Sequence, residues 1–108
     1  MRTLKFKVSG MTLLRDQECD FTGLVPGSEG YIQAEFEFSE DWNDCVKVAA
    51  FYSIFGKEYT PQELKDNKCL IPAEALAKRS FKIQVLGKKQ DYKITSSKII
   101  VNQDGGAV

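Results

Sequence analysis

Apolar and polar residues alternate without a break along Tyr31-Ile32-Gln33-Ala34-Glu35-Phe36-Glu37-Phe38. A period of two places Ile32, Ala34, Phe36 and Phe38 on one face of a strand and Gln33, Glu35 and Glu37 on the other. Ser39-Glu40-Asp41-Trp42-Asn43-Asp44 interrupts, and Val46 to Phe55 resumes in apolar, β-branched and aromatic residues. There Val46, Val48, Ala50, Tyr52 and Ile54 share one face and Ala49 and Phe51 the other, which predicts a strand central in its sheet. The polar interruption predicts one turn of helix, with Ser39 or Asp41 accepting hydrogen bonds from its free amides. Trp42 is expected to fold back as a lid over one end of the core; the alternative is an exposed binding anchor.

The same period of two recurs on both sides of this centre. Leu4, Phe6 and Val8 alternate with lysines, Ser9-Gly10 signals a turn, and Met11 to Arg15 reads as a returning strand. Residues 16 to 30 loosen into a loop with room for one short strand. Thr60-Pro61-Gln62-Glu63 matches a capping box and predicts a short helix stopped at Asp66-Asn67. Cys69-Leu70-Ile71 is a short strand, and Pro72 opens a helical turn over Ala73 to Lys78. Phe81, Ile83 and Val85 alternate again, Gly87-Lys88-Lys89 reads as a turn, and Tyr92–Thr95 and Lys98–Val101 are the closing strands. The sum predicts an all-β fold: an antiparallel, immunoglobulin-like β-sandwich of about seven strands with one or two short helical turns. A small oligonucleotide-binding-type barrel is the alternative. Residues 1–103 are expected to form one domain and 104–108 a flexible tail.

Composition narrows the chemistry. Three cysteines, at 19, 45 and 69, and no histidine are too few for a zinc site, so the cysteines read as ordinary thiols and no metal or other cofactor is expected. Without an imidazole, the usual base beside a Ser or Cys nucleophile is missing, and no Ser-x-x-Lys stretch or phosphate-binding glycine loop replaces it. The reading is a protein that is not an enzyme. No apolar run approaches a membrane span and the first residues do not resemble a signal peptide, so no membrane partner is expected. The immunoglobulin signature, a Cys pair bridging the sheets around a Trp, is missing, so any such likeness is one of topology.

Fifteen basic and fifteen acidic residues cancel, which disfavours nucleic acid as a partner. Their placement is uneven. Five acidic residues and no basic one lie between Glu35 and Asp44, whereas seven basic residues and the single Asp91 lie between Lys78 and Lys98. An acidic edge that includes Glu35 and Glu37 is therefore a candidate contact surface, toward a partner or toward further copies of the chain. The turn carrying Phe55, Lys57 and Tyr59 is the second candidate, because aromatic and basic residues sit together there at a strand end. A nucleic-acid contact through Lys88, Lys89 and Lys93 near Tyr92 is weaker, since stacking platforms use more than one exposed aromatic.

Five segments carry a resemblance when taken in order: Phe36-Glu37-Phe38-Ser39-Glu40-Asp41-Trp42, Lys47-Val48-Ala49-Ala50-Phe51, Asp66 to Leu76, Phe81 to Gly87, and Tyr92 to Ile99. Together they resemble small phage-encoded proteins, and they are similar to the N-terminal immunoglobulin-like module of upper baseplate proteins in phages of Gram-positive bacteria. The resemblance implies a β-sandwich acting through protein contacts, with phage structural proteins or a host protein as partner, in the virion or the host cytoplasm. It implies first a tail-, baseplate- or capsid-associated accessory, and alternatively an anti-defence inhibitor of a host immune protein. The upper baseplate module leads into a long fibre-forming region, which this sequence does not contain.

Overall fold

The computed structural model describes residues 1–105, so most of the expected tail falls outside the described residues. Two sheets pack face to face. One has four strands in the order β2 (Thr12–Arg15), β1 (Arg2–Ser9), β3 (Ile32–Phe38), β6 (Lys68–Leu70). The other orders β5 (Gln62–Glu63), β4 (Val46–Ser53), β7 (Ser80–Lys89) and β8 (Tyr92–Thr95), and β9 (Ile99–Asn102) pairs with the first half of β7. The all-β sandwich expected from the alternation is what the chain forms. Every pairing is antiparallel except β1 with β3, which run parallel from Arg2↔Ile32 to Val8↔Phe38. Residues 16–31 make the crossover this requires, and the Arg2 guanidinium donates to the Asp20 and Thr22 carbonyls to hold them.

The inward faces are those that the alternation assigns. Leu4, Phe6 and Val8 of β1, Ile32, Ala34 and Phe36 of β3, and Phe81, Ile83 and Val85 of β7 are all buried. Phe21 of the crossover, Phe6 of β1, and Phe36 and Phe38 of β3 form a chain of aromatic contacts that ends on Trp42, 5.1 Å from Phe38. Trp42, in a 3-10 turn at Glu40–Trp42, is fully buried, and its indole N–H donates to the Gly10 carbonyl at 2.8 Å. It is the lid expected from the sequence. Ser39 does not cap the turn with its side chain; its Oγ accepts from the Gly10 amide and donates to Asp41, tying the turn to the first hairpin.

Two sequence expectations are corrected. Gly87 is not in a turn: β7 runs on to Lys89, and the reversal falls at Gln90-Asp91. The glycine is needed because a Cβ there would stand 2.8 Å from Trp42 Cε3 and 3.1 Å from Ile94 Cγ2, so the lid occupies that space. The capping box at Thr60 forms no helix. Asp66 and Asn67 take φ of 53° and 61°, the left-handed pair of a tight hairpin turn, and fold Gln62–Leu70 into β5 and β6. Thr60 instead donates from its amide and hydroxyl to Glu74, which lies beyond that hairpin in α1 (Ala73–Leu76), and these bonds hold the Glu74 carboxyl below its ordinary range.

The two sheets are tied together at both flanks. On one side β5 and β6 belong to a single hairpin that passes from one sheet to the other, and the Phe36 amide donates to Asn67 at its tip. On the other, the amide of Ser97, between β8 and β9, donates to the Met11 carbonyl, and the Leu13 amide of β2 donates to Ser97 Oγ. These bonds join the backbone of one sheet to that of the other at both flanks.

Candidate contact surfaces

The turn after β4 carries the sequence-derived trio. Phe55 is 82% exposed, the most open large apolar side chain among the described residues, while Tyr59 is 7% exposed and forms a floor. With Lys57, Ile54, Lys78 and Ser80 they line a groove of about 290 Å³. The turn is built by backbone: Ser53 Oγ accepts from the amides of Phe55 and Lys57, and the Ser53 amide donates to the Lys57 carbonyl. Gly56 takes φ of 94°, which lets the chain reverse and hold Phe55 outward. Tyr59 then rejoins the sheet through its amide to the Phe51 carbonyl. The structure thus brings Phe55, Lys57 and Tyr59 together.

Glu35 and Glu37 lie elsewhere, on the outer face of the four-stranded sheet. Glu37 stands 3.8 Å from Lys7 and Glu35 3.7 Å from Lys68, while Lys5 is the register partner of Glu35 on β1. They line a polar groove of about 520 Å³ with Lys5, Asp66, Asn67 and Lys68. What looks along the chain like an acidic run is, on the sheet, a ladder of alternating sign, because the lysines come from strands distant in sequence. Farther along the run the contacts are to backbone, Lys89 donating to the Asn43 carbonyl and Tyr92 to the Asp41 carbonyl, and Glu40, Asp41 and Asp44 enter neither salt bridge found among the described residues.

A third surface was only half visible in the sequence. The outer face of β4 bears Val46, Val48, Ala50 and Tyr52, and that of β7 bears Lys82, Gln84, Leu86 and Lys88, in direct register. Beside them stand Lys93 and Thr95 of β8 and Ile100 of β9. Val46 is 62% exposed, and Val46, Val48 and Leu86 with Lys88, Lys89 and Lys93 line a groove of about 470 Å³. Tyr52 donates to Gln84 and carries Lys98 over its ring at 4.3 Å; partial burial and then the nearby Glu58 push its phenol pKa up. The run of basic residues from Lys78 onward foreshadows this surface. Its aliphatic floor was hidden because the β4 alternation does not say which face turns inward.

The three thiols are free and separate. Burial pushes Cys69, opposite Ala34 in β6, up to about 12, so it stays protonated and unreactive at neutral pH. Among the described residues no three acidic or thiol side chains converge as a cation site requires, and no helix is long and apolar enough to cross a membrane. Comparison with protein-family models, with curated proteins and with solved structures finds no match.

Proposed function

We propose that the protein is a contact module, a phage-encoded structural accessory that docks on tail, baseplate or capsid and works by binding rather than by chemistry. The observation that supports this most directly is Phe55. An exposed phenylalanine held at the tip of a hydrogen-bonded turn, beside a tyrosine-floored groove and two lysines, has the form of an interface anchor. Leaving such a ring in water is unfavourable by about 1.5–3 kcal/mol relative to burying it. The phage assignment rests on the five ordered segments from Phe36 to Ile99.

Mass spectrometry of gradient-purified particles from the encoding phage tests the reading. The chain is expected in the particle at fixed copy number, and Phe55→Ser is expected to lower its incorporation about tenfold with an unchanged melting curve. Absence from the particle together with early expression would reject the structural role in favour of a host-directed inhibitor.

A further inference from the structure

We infer that the outer face of the five-stranded sheet is a second docking surface, and that its occupant is an acidic protein segment presenting aliphatic side chains. The inference rests on the contact-module reading above and adds a surface that the Phe55 turn does not include. Val46, Val48 and Leu86 form an aliphatic floor at the end of the sheet nearest Trp42, with Lys88 and Lys93 as cross-strand neighbours beside it. Lys82 and Lys98 continue the positive charge toward Tyr52. Among the described residues the ion pairs are Lys7–Glu37 and Lys68–Glu35, both on the opposite sheet, so none of these four lysines is neutralised by a carboxylate contact. Glu63, opposite Val48, and Glu58, opposite Tyr52, are confined to the β5 side of the face.

Each alternative occupant meets a physical objection. A second copy placed face to face would oppose lysine to lysine, and like charges across an interface are unfavourable. A copy docking through its other sheet would offer Glu35 and Glu37 only after their lysine pairs had opened. A nucleic acid would satisfy the lysines but would bury phosphate and sugar against valine and leucine. The two tyrosine rings that bases would stack on each already hold a lysine over one face, Tyr52 that of Lys98 and Tyr92 that of Lys89 at 4.9 Å. An acidic segment with leucine or valine between its carboxylates satisfies both the floor and its rim.

Amide shifts of the isotopically labelled protein, titrated with a soluble peptide of glutamates interspersed with leucines, test this. Shifts are expected at Val46, Val48, Leu86, Lys88 and Lys93, to weaken as salt rises, and to be absent with the matching lysine–leucine peptide. K88E/K93E is expected to weaken binding at least about tenfold without moving the melting temperature. No shifts, or binding that K88E/K93E leaves unchanged in a folded protein, would overturn the inference. Shifts confined to Phe55–Tyr59 would overturn it while leaving the contact-module reading standing. Tighter binding of an oligothymidylate to these same residues would replace the proposed partner with a nucleic acid.

Discussion

On the outer face of the four-stranded sheet each of the two glutamates of β3 sits against a lysine from a neighbouring strand, whereas on the five-stranded sheet four lysines surround aliphatic side chains and pair with no carboxylate. Both faces use the same strand alternation and overlie the same core. The first spends its charges on itself: a ladder of opposite signs keeps the face hydrated and contributes at most about 1 kcal/mol per exposed pair. The second leaves its charges available and its apolar groups partly open. Net charge therefore says little here, because cancellation over the whole chain conceals one neutralised face and one positive face.

If the two faces differ only outside, the core beneath each should matter equally. Phe36→Ala, under the paired face, and Phe81→Ala, under the lysine face, are each expected to destabilise by about 3–5 kcal/mol in denaturant titration. A loss from only one would mean that the sheets do not share a core. Gly87→Ala places a methyl against the Trp42 ring at the shared end and is expected to cost about 1–3 kcal/mol, with a change in tryptophan fluorescence. A parent-like melt and spectrum would show that the ring can move away.

Alkali probes the inner side of the paired face through Cys69. Its folded pKa lies above the unfolded value, so its stabilising contribution is complete below about pH 9 and is lost as pH rises from there toward 12. A thermal midpoint that falls across this window in the parent, and falls less in Cys69→Ala, is the expected result. The smallest effects belong to the outer faces. Val46→Thr and Glu37→Gln are each expected to shift stability by no more than about 0.5 kcal/mol. Added salt should weaken the Glu37 contribution and leave that of Val46 unchanged.

The fold was legible wherever one strand's own alternation decides it. Ile32 to Phe38 needs no partner to declare its inward face, and Trp42 declares itself by size. The parallel pairing of β1 with β3 was not legible, because it depends on a crossover of loop residues with no pattern of their own. Gln62-Glu63 was misread because Thr60 offers a capping box, and the choice between helix and hairpin lies with Asp66 and Asn67 farther along. Gly87 was misread because a glycine followed by two lysines signals a turn locally, while the reason for that glycine is a ring 45 positions earlier. Of the candidate contacts, the Phe55 turn was readable as a cluster in sequence. The compensation of Glu35 and Glu37 was not, since Lys7 and Lys68 reach them only through sheet register.

The stitches at Ser97 and at the Asp66-Asn67 hairpin have a consequence for how the layers move. Each joins one layer to the other through the backbone, so the two sheets are held to open together and not to slide past each other.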